Sequence, residues 1–155
     1  MLHDIGKIEI EPDILSKQNK TPEEKARNNL HVIYSYHIIR HHGDRMARLA
    51  AEIIIRNHKY NGESFPENIP VNPEFEAEMP LILEGSRYLA LSDFYHSLLT
   101  RETDRVVFDK TDPESVKGVV KAFNPDQIEL IDELFEKGIF GSVQDLNNIY
   151  TIESK

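Results

Sequence analysis

Helix punctuation in this chain is clearest at three places where a short polar residue stands just before a proline that opens an acidic or amide-rich turn: Thr21-Pro22-Glu23-Glu24, Thr111-Asp112-Pro113-Glu114 and Asn124-Pro125-Asp126-Gln127. A side-chain oxygen at that point accepts backbone N–H groups that the first turn of a helix leaves without partners. Proline at the first helical position loses only an N–H that had no acceptor there. Glu24 adds the reciprocal half of a capping box with Thr21. These signals predict a long helix over about 22–42 and two more ending near 122 and 137, with Gly138 and Gly141 marking the exit. On the first helix Leu30, Ile33, Tyr34, His37 and Ile38 fall near helical spacing.

Residues 44–58 form an amphipathic run, and residues 84–101 form another with Tyr88, Leu91, Tyr95, Leu98 and Leu99 broadly inward. Residues 61–80 carry Pro66, Pro70, Pro73 and Pro80 and read as a long loop, because a helix interior does not tolerate repeated proline. Strand-like alternation is nearly absent, and there is no internal repeat. The expected fold is all-α: one helical bundle with a proline-rich excursion.

A length of 155 residues suits one domain with a real core. No cysteine is present, so a metal would have to be held by His, Asp or Glu, and a reducing cytoplasm is the expected compartment. The apolar runs are too short to span a bilayer. A net charge of −9 argues against binding long nucleic acids, whose affinity comes from Lys and Arg displacing counterions, but it leaves room for a small phosphate ligand. Charge is uneven: bases gather from Arg40 to Lys59, acids at 74–84 and 126–136. Solvated helix faces account for such runs.

The residues able to do chemistry are few. His3-Asp4 ends an apolar start and is followed by Gly6 and Lys7, so a sharp turn would leave an ammonium beside two candidate ligands; an ordinary helix terminus with Asp4 in water reads equally well. His31 shares a helix face with Tyr34, Ser35 and Ile38, which suits a hydrogen-bonded core histidine or a ligand. His41 and His42 fit the C-terminal end of the helix dipole. His58 stands where a helix gives way to the Asn61-Gly62 turn, at the surface or facing a cleft. Asp93 sits among Leu89, Ala90 and Phe94, and a buried carboxylate there needs Arg87, Arg101, a metal ion or access to water.

In this order the pieces resemble the HD-GYP branch of the HD-domain metal-dependent phosphohydrolases. LHDIGKIEIEPDILSKQNKTPEE is similar to the opening of that family, HVIYSYHII to its next histidine helix, and NHKYNGESFP to the signature H-H-E-x-x-D-G-x-G-Y-P. RYLALSDFYHSLLTRETDR is similar to R-I-x-x-x-A-D-x-F-D-A-L with its following arginine segment, and FNPDQIELIDEL to the closing helix. The resemblance covers roughly residues 2–137 and implies an HD-domain-like region over 1–141, with 142–155 as a tail or short helix. It implies that His3, Asp4, His31, His58 and Asp93 are metal ligands, with Asp4 bridging. Lys7 would act on phosphate in catalysis beside Asp4, and Arg101 would contact substrate. The implied cofactor is one or two divalent ions, iron or manganese; the implied substrate is a cyclic dinucleotide such as cyclic di-GMP.

The chain departs from the family where the signature has paired histidines. Here stand Asn57-His58, or Arg56-Asn57 in the other register, and only Gly62 and Pro66 match cleanly further on. The family also carries a ligand histidine on a helix upstream of the HD pair, so this chain is expected to be the C-terminal part of a larger domain, the alternative being a second chain that supplies the missing helices. Three functions follow as expectations. The first is an HD-GYP-type phosphodiesterase, active or impaired. The second is a non-hydrolytic nucleotide-sensing or protein-interaction module whose metal is lost. The third is a single-ion HD phosphohydrolase acting on a nucleotide or phosphomonoester. A homodimer or an upstream sensory domain would be the protein partner.

Overall fold

The computed structural model describes residues 2–41, 43–60, 65–100 and 106–145. Every regular element in them is helical: a 3-10 helix over Leu2–Glu9, then α1 (Pro12–Ser16), α2 (Pro22–His41), α3 (Arg45–Asn57), α4 (Met79–Thr100), α5 (Pro113–Phe123) and α6 (Ile128–Glu136), with short 3-10 turns between some of them. The all-α class is as the sequence implies. Among the described residues no helix is long and apolar enough to cross a membrane. His42 and Arg101, and the segment from residue 146 onward, lie outside the described residues.

The proline signals act as their chemistry dictates. Thr21 Oγ1 accepts the Glu24 N–H at 3.3 Å while Glu24 Oε2 accepts the Thr21 N–H at 2.8 Å, closing the capping box of α2. At α5 the cap is Asp112, whose carboxylate takes the N–H groups of Glu114 and Ser115. Asn124-Pro125 differs: Pro125–Gln127 form a 3-10 turn, the Asn124 amide donates to Val120 O at 2.9 Å, and α6 starts only at Ile128. Gly138, at φ 67°, ends α6. Its N–H donates to Phe135 O and the Ile139 N–H to Leu134 O, an arrangement that needs the left-handed backbone glycine adopts freely.

The chain forms two compact units, residues 1–90 and 91–155, with α4 starting in one and ending in the other. In the first, Leu49, Phe75 and Ile82 form a core with Ile53 and Met79 packed against it. The buried side chains of α2 are His31, Val32 and Ser35, whereas His37 is exposed. His37 keeps the helical spacing of Leu30 and Ile33 yet stays at the surface, its ring in a T-shaped contact with Tyr36. The loop before α4 is also shorter than its prolines suggest. Pro73–Phe75 make a 3-10 turn, and Pro80 falls in the first turn of α4, where the missing N–H costs nothing.

A buried ionic network ties the proline-rich segment to the helices. Arg56 donates to Glu52 Oε2 at 2.6 Å and to Pro70 O at 3.0 Å, while Tyr36 and Asn72 donate to Glu52 Oε1. Glu52 and Arg56 are 2% and 3% exposed, so each charge depends on the other for the solvation that water would otherwise supply. On the surface the basic and acidic runs meet: Arg45 pairs with Glu78 and Arg48 with Glu74.

The second unit is built on Leu91, Leu98, Leu99, Val116, Val120 and Ile131 around Tyr95 and Phe140. The last two rings stack 3.9 Å apart. The Tyr95 hydroxyl donates to Gly141 O and accepts the Gly141 N–H, which fixes the exit of the chain. Tyr88 is 43% exposed rather than inward, because it precedes this core by a turn and instead donates to Glu84.

Two stability changes are expected. Arg56→Ala leaves the Glu52 carboxylate buried without its counter-charge and should cost about 3–5 kcal/mol, read as a lower urea midpoint; a midpoint equal to that of the parent would refute a desolvated pair. Ile131→Ala, at a fully buried position, should cost about 2–5 kcal/mol in the same measurement.

Candidate functional site

In a 3-10 helix three residues complete a turn, so residues three apart lie one above the other. Asp4 and Lys7 are such a pair on Leu2–Glu9, and the Lys7 ammonium meets Asp4 Oδ2 at 2.5 Å. His3, next in sequence to Asp4, is buried at 4% exposure. This turn lies directly on α2. A Cβ built on Gly6 would stand 2.1 Å from the His31 carbonyl oxygen, so only glycine permits the approach. The Gly6 N–H donates to Ser35 Oγ at 2.8 Å.

The docking sets two histidines about one carboxylate. His31 Nε2 is 3.4 Å and His3 Nε2 3.7 Å from Asp4 Oδ1. The His31 ring also has the His58 ring at 5.1 Å between centroids, edge to face. His31 Nδ1 is 2.5 Å from Asn28 O. A carbonyl oxygen only accepts, so Nδ1 carries the hydrogen, and in a neutral ring Nε2 then presents a lone pair. That lone pair is buried, and among the described residues it has no aligned hydrogen bond. Nε2 faces a carboxylate oxygen, and a proton or a cation shared between them would join the two.

Burial opposes ionisation of the Asp4 carboxyl, but the His31 imidazole, the Lys7 ammonium and the charge of His3 together overcome it and hold the group well below the usual carboxylate range. Asp4 thus stays a carboxylate at neutral pH and well into acid. What its ionic contacts contribute is present above the ordinary carboxylate pKa and is lost as pH falls below it.

Donor chemistry and spacing suit a divalent ion. Ligand bonds of about 2.0–2.2 Å place two donors on one ion about 3–4 Å apart, the scale of the separations about Asp4. The set is not preassembled, however. Among the described residues no group of three or more His, Asp or Glu side chains is arranged to hold a metal ion, and Lys7 already engages Asp4 Oδ2. His3, Asp4, His31 and His58 are brought together in the first unit. Asp93 is half-buried on α4 in the second unit, and Arg101 lies outside the described residues.

Asn57, where the resembled signature has an imidazole, is 1% exposed, and its amide has no hydrogen-bond partner among the described residues. Arg56 and Lys59, on either side of it, line a cavity of about 470 Å3 with Pro66, Ile69, Pro70 and Met79. Two features near the site escape a reading for chemistry. Glu52 and Arg56 show only the helical four-residue spacing of an ordinary surface pair. Ser35 shows only that it shares a face with His31.

Searches of curated proteins and of solved structures return no match. The family profile described as HD domain matches residues 1–98, a stretch that holds His3, Asp4, Lys7, His31, His58 and Asp93. With well over half of its residues matched, the chain belongs to the HD domain family, within the HD phosphohydrolase superfamily.

Proposed function

We propose that this chain is a metal-dependent phosphohydrolase of HD-GYP type whose substrate is a cyclic dinucleotide such as cyclic di-GMP. The observation that carries the reading is the buried His31 Nε2 facing Asp4 Oδ1 at 3.4 Å, two ligand-type atoms at the separation that donors to one ion have. His3, Asp4, His31 and His58 would hold one or two divalent ions, iron or manganese. When bound, such an ion supplies Lewis acidity toward a phosphoryl oxygen and makes water more acidic.

The chain's own groups do the rest. Asn28 O holds the His31 tautomer that leaves Nε2 free to coordinate. The Lys7 ammonium, a third exposed, is placed to leave Asp4 for a phosphoryl oxygen and to stabilise the charge that grows there. Arg101 is assigned to the substrate, and Asp4 is kept ionised by its neighbours.

A second reading has an observation of its own. Asn57 offers a carboxamide where the signature has an imidazole, and the Lys7 ammonium occupies half of Asp4, as suits a nucleotide-sensing or protein-interaction module that no longer hydrolyses. Metal content of the purified protein, measured with manganese-supported turnover of cyclic di-GMP, separates these. Bound ions with turnover support the phosphodiesterase. Neither metal nor turnover supports the module and sinks the first reading. One ion with hydrolysis of a phosphomonoester alone identifies a single-ion phosphohydrolase.

For the active protein, Asp4→Asn is expected to abolish metal retention and turnover with an unchanged circular dichroism spectrum. Lys7→Ala should retain the metal while kcat falls about 10²- to 10³-fold, the loss typical of one transition-state donor. Loss of metal from the Lys7 variant would contradict the role given to the ammonium.

A further inference from the structure

We propose that Ser35 is a positioning residue of this site, its hydroxyl fixing where Asp4 stands against His31; the metal-binding consequence rests on the phosphohydrolase reading above. The Ser35 side chain is wholly buried, and its oxygen accepts the Gly6 N–H at 2.8 Å. A Cβ on Gly6 would meet three atoms: His31 O at 2.1 Å, Ser35 N at 2.5 Å and Ser35 Oγ at 2.9 Å. In an α-helix the carbonyl of residue 31 and the N–H of residue 35 are the two ends of one hydrogen bond. Gly6 therefore rests on the single helical turn that begins at His31.

Two consequences follow from that seating. The van der Waals contact limits how near the 3-10 helix comes to α2, but a contact alone lets it slide or lift. The hydrogen bond to Ser35 supplies the direction, because N–H donation weakens steeply off axis. Gly6 is two residues from Asp4 along a tightly wound turn, so a displacement at Gly6 passes to the carboxylate. Ligand sites need their donors held within about half an ångström of the productive geometry, and the separation between Asp4 Oδ1 and His31 Nε2 is fixed by this contact. Ser35→Ala keeps the volume and the helix but leaves the Gly6 N–H buried without an acceptor, which favours lifting the turn until water reaches it.

The test compares Ser35→Ala with Ser35→Thr, which retains the hydroxyl, and with the parent, all checked for an unchanged far-ultraviolet circular dichroism spectrum. In metal-free protein, nuclear Overhauser contacts between the Asp4 methylene and the His31 ring should be present in the parent, lost in Ser35→Ala and restored in Ser35→Thr. Manganese titration followed by electron paramagnetic resonance should show affinity about 10- to 100-fold weaker in the alanine variant, with recovery in the threonine variant. Should Ser35→Ala fail to fold, Ser35→Cys, whose sulfur is a weaker acceptor of similar size, gives the same comparison. Retained Asp4–His31 contacts in the variant lacking the hydroxyl overturn the proposal, whatever the metal result. Lost contacts in a protein that binds no manganese, parent included, leave the positioning role standing and remove the phosphohydrolase reading instead.

Discussion

A peptide without a side chain, Gly6, pressed onto one turn of α2, is the contact on which the candidate site depends. The 3-10 helix alone brings Lys7 to Asp4, since three residues make its turn. It cannot by itself bring either to His31, which is more than twenty positions further along the chain. That meeting requires two backbones to approach more closely than any Cβ allows, with the Gly6 N–H given an acceptor as it leaves water. His3, Asp4 and His31 form a chemical group only because this approach is made.

Elsewhere in the first unit a different kind of interaction holds the helices and the proline-rich segment together. Glu52 and Arg56 are buried charges whose stability lies in each other and in the donors and acceptor that complete them: Tyr36, Asn72 and the Pro70 carbonyl. A hydrophobic contact would tolerate sliding of the proline-rich segment along α3; a buried ion pair with satisfied oxygens does not, because each lost hydrogen bond leaves a charge in a poorly polarisable place. His58 stands two residues after Arg56, at the C-terminal end of α3, where its ring meets that of His31. Charge thus fixes the frame and the close backbone contact fixes the register within it.

One departure from the resembled family falls on a buried position. The HD domain match runs from the 3-10 helix through α2 and α3 into α4. At the end of α3, however, a carboxamide takes the place of an imidazole. An amide with no partner inside a protein is costly, and Asn57 has none among the described residues.

Helix starts and stops were legible because they are decided within four or five residues: a capping oxygen, a proline and a left-handed glycine act on their own neighbours, and Thr21, Asp112 and Gly138 perform as their types demand. The identities of the candidate ligands were legible for the same reason, since His, Asp and Lys carry their chemistry with them. Inwardness was less so. His37 and Tyr88 keep helical spacing yet face outward, because which stripe of a helix is covered depends on what packs against it. Even Pro80 misleads until the start of α4 is known. Sequence by itself therefore determined an all-α chain and the residues capable of holding a cation. Only the tertiary structure decided that Asp4 faces His31 while Lys7 holds its other oxygen, and that Ser35 receives Gly6, because these depend on the distance between two backbones, which no local preference encodes.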